Sequence, residues 1–314
     1  MKINKRFLQF IAAVWILAFH LWVPITATES ERFIVLIGYV GVDLFFFLSA
    51  YSLADKEIDY KSFLIHRVVV LYVKFAIFVG LMAIAYISFR REKIWKALTF
   101  VDLFETGGGA FLWFIPAIIL FYLVYPFFVK WDNKGKIMII LLGWLFFSVL
   151  LEQLAGYTKI FIFTNRIPII MIGYACKKYS PKIRQAIPNV WVNGLSVAAL
   201  PVGLILLYYY GYYRRLHVPI HDAFYLLAIP VVLFFAWISS YVKNNRVWDV
   251  LGSVTLELYA LQMIYGTKIA LHIYVTVKNP VSANLGTFIV LFVLAYGLNV
   301  IFKIAERWIL KRKK

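Results

Sequence analysis

Two residues capable of acid–base chemistry sit inside long apolar runs. His20 falls in the run 7–25, roughly 20 Å from its start at about 1.5 Å per residue. Asp43 falls in the run 33–54, roughly 15 Å from the end where that run begins on the opposite side. If consecutive runs cross a membrane in opposite directions, the two side chains reach similar depths. Ionisable groups at that depth cost several kcal/mol and face a cavity or a partner. A His beside an Asp can act as a general base whose imidazolium the carboxylate steadies. It can equally be a buried pair that locks two helices, and the residues leave both options open. Arg166, two positions before Pro168, and Glu257 also lie within apolar runs. A proline breaks a helix and frees backbone groups. An Arg beside such a break can hold an anion such as a phosphate, or pair with a carboxylate. Lys74 and Lys268 lie nearer run ends, where long side chains snorkel to the headgroups. Phe45, Phe46 and Phe47 either line an acyl path or meet lipid.

The elements that must hold these groups follow from composition. Hydrophobic residues make up 63% of 314 positions and charged residues 15%, against about 45–50% and about 25% for soluble domains. The surplus has to face lipid. The runs are continuous and about twice the ten residues of a barrel strand, which selects helices. The expected fold is all-α, a polytopic transmembrane bundle of about ten spans in one domain, 1–314. The spans are placed at 7–25, 33–54, 64–88, 111–129, 137–155, 158–176, 191–211, 223–242, 249–275 and 284–308. Glu92–Glu105 carries apolar residues at helical spacing and reads as a short interfacial helix. Gly107–Gly109, with no Lys after it, reads as a turn and not as a phosphate loop. A single cysteine, Cys176, excludes an intrachain disulfide and Cys-rich metal sites, and no metal site is expected. The first run lacks a small-residue cleavage site and reads as a retained anchor.

Thirty-three Lys and Arg against fifteen Asp and Glu give a net charge of +18. These cations gather at run ends instead of on one face, which points to topology and lipid headgroups and away from nucleic acid. With the N-terminus inside, inner segments hold about 21 basic residues and outer segments about 9. Both termini are therefore expected in the cytoplasm.

Several blocks in order resemble the acyltransferase-3 family of bacterial integral-membrane O-acyltransferases. Phe10-Ile11-Ala12-Ala13-Val14-Trp15 leading to His20 is similar to the family's first helix and its functional His. Gly38-Tyr39-Val40-Gly41-Val42-Asp43-Leu44-Phe45-Phe46 resembles its Gly-Val-Asp signature, and Phe63-Leu64-Ile65-His66-Arg67 its cytoplasmic basic motif. Leu112-Trp113-Phe114 with Tyr122 and Pro126, Arg166-Ile167-Pro168 to Gly173, and Leu251-Gly252 through Glu257-Leu258-Tyr259 are similar to later blocks. Three positions depart from the pattern: Gln9 stands where relatives carry Arg, His66 and Val70 thin out the basic motif, and Gln262 stands near a position where relatives have His.

The resemblance implies a ten-helix fold in the bacterial inner membrane. It implies no permanently bound cofactor, and acyl-CoA, chiefly acetyl-CoA, as cytosolic donor. The acceptor it implies is a hydroxyl of a surface polysaccharide or a lipid-linked sugar. His20 would be the base or acyl relay and Asp43 its partner. Arg67, with His66, Lys5 and Arg6, would hold the CoA phosphates. Arg166, Glu257 and Trp113 would face the substrate. Glycan-synthesis proteins are the expected partners. The rival is a transporter or flippase of a lipid-linked sugar, because mid-membrane charges and a broken sixth span serve transport as well. A scaffold within a glycan-synthesis complex is a third possibility.

Overall fold

The computed structural model describes residues 3–20, 38, 40–54, 59–86, 91–130, 140, 143–144, 161–179, 189–209 and 228–311. Among these, helices account for nearly all the backbone and no strand occurs. In chain order they are α1 (Lys5–Phe19), α2 (Val40–Leu53), α3 (Tyr60–Ala85), α4 (Arg91–Leu98), α5 (Val101–Thr106), α6 (Phe114–Lys130) and α7 (Phe161–Thr164). They continue with α8 (Ile167–Lys178), α9 (Asn189–Leu206), α10 (Ile229–Ile238), α11 (Arg246–Ser253), α12 (Thr255–Val277) and α13 (Pro280–Lys311). Three stretches, Tyr60–Ala85, Val190–Tyr209 and Pro280–Arg307, are long and apolar enough to cross a bilayer. Most of their residues are not buried within the chain, as expected of walls that meet lipid. The expected span 137–155 lies almost wholly outside the described residues, as does the part of the first expected span beyond His20.

Helix packing begins with α2, which is squeezed between α1 and α8. A Cβ on Gly41 would collide with the Ala12 carbonyl, and one on Gly173 with the backbone of Phe47. Glycine at these points lets two pairs of helix backbones touch. Arg6 likewise lies against Gly252, joining α1 to α11. The central core gathers Leu8, Ala12 and Ile16 of α1, Phe46 and Phe47 of α2, Phe75 of α3, Ile115 and Tyr125 of α6, and Tyr174 of α8. A second cluster joins Ala13 and Leu17 to Leu258 and Leu261 of α12 and to Leu291 and Ala295 of α13.

Some boundaries differ from expectation for local reasons. The run 249–275 is two helices, because the backbone leaves helical geometry at Val254 (φ −102°, ψ 5°). The interfacial helix expected over Glu92–Glu105 is also two, α4 and α5, divided by Phe100 in the left-handed region (φ 64°). Lys96, paired with Glu92 of its own helix (2.9 Å), joins them again through Glu105 of α5 (3.0 Å). Gly107–Gly109 forms one 3₁₀ turn. Pro168 does not break its helix. It occupies the first turn of α8, where its missing N–H costs nothing. The interruption lies just before it, at Asn165–Arg166.

A buried charge centre as candidate functional site

Arg166 caps α8 at this interruption (φ −86°, ψ −9°), and its carbonyl accepts from the Ile170 N–H at 3.0 Å. Gly173 against Phe47 sets α8 and α2 side by side, and that contact carries Arg166 to Asp43. Arg166 Nη1 stands 2.9 Å from Asp43 Oδ1, with both side chains fully buried. The guanidinium also lies 5.9 Å from the Trp113 ring, within reach of a cation–π contact. Three expected site residues, Asp43, Arg166 and Trp113, are thus brought together. Asp43 Oδ2 has no hydrogen-bond partner among the described residues.

Trp113 is aimed by a constrained turn. Asp102 Oδ2 accepts from the Phe111 N–H at 3.1 Å, and Leu112, fully buried, adopts φ 51°. A bulky residue in that region costs about 1–3 kcal/mol, which surrounding packing has to offset. Phe114 then meets Phe45, Phe46 and Tyr259 at centroid distances of 5.6, 5.2 and 5.9 Å. The Phe114 N–H also donates to the Tyr259 hydroxyl. This aromatic wall ties α2, α6 and α12 together beside the ion pair.

His20 ends α1, with its N–H bonded to the carbonyls of Ile16 and Leu17 and its ring edge-on to Phe19 at 4.9 Å. Its side chain makes no hydrogen bond or ion pair among the described residues. The carboxylate expected to face His20 is engaged by Arg166 instead. A permanently charged guanidinium at the start of α8 pairs with a carboxylate more strongly than a neutral imidazole does.

Glu257 is engaged by a different cation. Its Oε1 lies 3.5 Å from Lys74 Nζ, which approaches Glu306 at 2.9 Å. Lys74 therefore does not snorkel: it links α3, α12 and α13. Lys268 does behave as a helix-end lysine, with its ammonium on the Ala85 carbonyl and 4.0 Å from the Tyr86 ring.

The basic residues expected to meet the donor divide into three groups. His66 and Arg67 lie on a π-helical turn, Leu64–Val69, a distortion common at functional positions. His66 Nδ1 contacts the Ser62 carbonyl at 2.7 Å, while Arg67 makes no ion pair or hydrogen bond among the described residues. Arg6 is committed to structure, donating to Gln9 Oε1 (3.2 Å) and to the Gly252 carbonyl (3.3 Å). Lys5 stands 6.0 Å from the Tyr51 ring and Lys177 5.7 Å from it, so α1 and α8 bring two cations to one aromatic ring.

Long apolar helices, with a buried charge centre between α2 and α8, define an integral-membrane protein built around a polar core. The family model described as "Acyltransferase domain" matches residues 6–304, and the chain belongs to that family, the acyltransferase-3 membrane acyltransferases. Comparison with curated proteins and with solved structures gives no match. Sequence reasoning missed the Lys74–Glu257–Glu306 link. Its only signal was a lysine and a glutamate far apart in the chain, each one turn or more inside an apolar run.

Proposed function

We propose that this chain transfers a short acyl group, acetyl in the first instance, from cytosolic acyl-CoA to a hydroxyl of a surface polysaccharide or lipid-linked glycan precursor. The observation that carries this reading is the Asp43–Arg166–Trp113 centre, withdrawn from water inside the acyltransferase fold. A fully buried ion pair is a poor source of stability, because desolvation offsets its attraction. Its presence is better accounted for by chemistry done nearby.

In this mechanism His20 takes the proton of the acceptor hydroxyl, or carries the acyl group as a relay. Asp43, its first oxygen held by Arg166, keeps Oδ2 for a substrate hydroxyl. Arg67 supplies a guanidinium for the CoA phosphates, with Lys5 and Lys177 beside Tyr51 as further cations. Both termini lie in the cytoplasm and the protein resides in the bacterial inner membrane.

The break at Asn165–Arg166 and the buried charges beside it would also suit a transporter. The test is the O-acetyl content of surface glycan in cells lacking the chain, complemented with wild type or His20→Ala at matched membrane levels. Ester restored by wild type alone supports the enzyme with His20 in its machinery. Ester restored by both removes His20 from it. Unchanged ester with altered glycan export replaces the enzyme with a transporter.

A further inference from the structure

Gln262 lies about two turns into α12 with 3% of its surface exposed, yet neither Oε1 nor Nε2 has a hydrogen-bond partner among the described residues. A primary amide so buried has lost its water contacts, and among the described residues both its polar atoms are left to receive a ligand. Its surroundings say where that ligand would lie. Leu258, one turn earlier, belongs to the cluster with Ala13 and Leu17 of α1. Tyr259, three residues earlier, packs against Phe114 at the start of α6, next to Trp113. Residues three and four apart share a helix face, so Gln262 is directed into the space between α1 and the start of α6. Leu261 shares the Leu17 cluster, which sets Gln262 about one turn (~5 Å) from the level of His20.

We propose that Gln262 is a substrate-contacting residue of the acyl-transfer site, its amide N–H donating to the carbonyl oxygen of the acyl group in flight. The assignment rests on the acyltransferase reading and extends it. The acceptor oxygen attacks the thioester carbonyl carbon, and a C–O bond forms as the C–S bond breaks. The hydroxyl proton passes to the imidazole of His20 and from there to the departing CoA thiolate. Negative charge appears briefly on the carbonyl oxygen, and a fixed N–H donor in a water-poor site stabilises it more than it stabilises the substrate. Gln262 has no titratable group, so this contribution is constant with pH.

The test uses the full chain carrying Gln262→Met, which matches the side chain in length and removes both polar atoms. Alkali-released acetate from envelope glycan is measured in complemented cells at matched membrane levels, and thermal unfolding is measured on the purified chain in detergent. The expected result is a loss of about 10²-fold in ester formation, the scale of one lost oxyanion donor. The unfolding temperature should be equal or higher, because an unpartnered amide has been replaced by an apolar group. A variant as active as wild type would overturn the assignment. So would a variant whose ester loss is matched by a lower unfolding temperature, since that marks a structural amide. If wild type itself forms no ester, the acyltransferase reading fails and this one falls with it; wild-type activity with an active variant sinks this one alone.

Discussion

Removing Arg166 takes away the guanidinium that balances the buried charge of Asp43. Breaking such a pair typically costs about 3–5 kcal/mol, whereas replacing both members with apolar residues is often neutral. Arg166→Leu alone is therefore expected to lower the unfolding temperature and the membrane level sharply. Adding Asp43→Leu should recover most of the stability and none of the transferase activity. Thermal melts in detergent beside the glycan ester assay separate the two effects. Arg166→Lys should not rescue, because an ammonium lacks the planar fork and the stacking face presented to Trp113. Stability that does not recover in the double variant would show that packing by the two side chains, not charge balance, holds α2 to α8.

At the scale of elements, the glycines sort by what a Cβ would meet. Gly41 and Gly173 face backbone atoms of Ala12 and Phe47, so Gly41→Ala or Gly173→Ala should force α2 away from α1 or α8. Gly80 has nothing within 4 Å, and Gly80→Ala should stabilise α3 by about 0.5–1 kcal/mol through helix propensity. Membrane levels and melting of the three variants test this directly, and equal loss at Gly80 would contradict it. The α4–α5 hairpin is held instead by charge. Glu92 and Glu105 push the Lys96 ammonium up to about 12, and Lys96 holds the Glu92 carboxyl below its ordinary range. The sign follows for each group. The Lys96 contribution is complete below its unfolded value, near 10.5, and is lost as pH rises through about 12. The Glu92 contribution is complete above its unfolded value, near 4.5, and is lost as pH falls through its lowered folded value. Because the pairs are exposed, salt screens them and their effect is local. Proteolysis of the 91–106 segment is thus expected to be flat from about pH 5.5 to 9 and to rise only outside that window.

For the whole molecule, the orientation set by basic residues makes a prediction of its own. A periplasm-dependent phosphatase fused after Lys314 should be inactive, while one inserted at Asn279, between α12 and α13, should be active. The reverse pattern would invert the membrane sidedness and move Arg67, Lys5 and Lys177 away from a cytosolic donor. Relative helix directions match the alternation of the expected spans, which either sidedness would give. Arg166 meets Asp43 while Gly173 meets Phe47, so α2 and α8 run parallel, as the second and sixth expected spans should. Lys177 and Tyr51 then fall at the same end as Lys5.

Continuous apolar runs dictated long helices in a membrane, because about 20 lipid-compatible residues in a row have no other stable use. Short-range signals were legible too: the all-α class, the turn at Gly107–Gly109, and the ordered motifs that mark the acyltransferase family. What those runs could not contain was the choice among partners. His20, Arg166 and any other buried polar group were all available to Asp43 by depth alone. Gly173 placed α8 against α2, and that contact gave the carboxylate to Arg166. The same limit hid the Lys74 link to Glu257 and Glu306 and the isolation of Gln262. Hydropathy reports how deep a residue lies, since depth is a property of one helix and its solvent. Pairing depends on the rotation of one helix against another, which packing of distant segments fixes and only the tertiary structure decided.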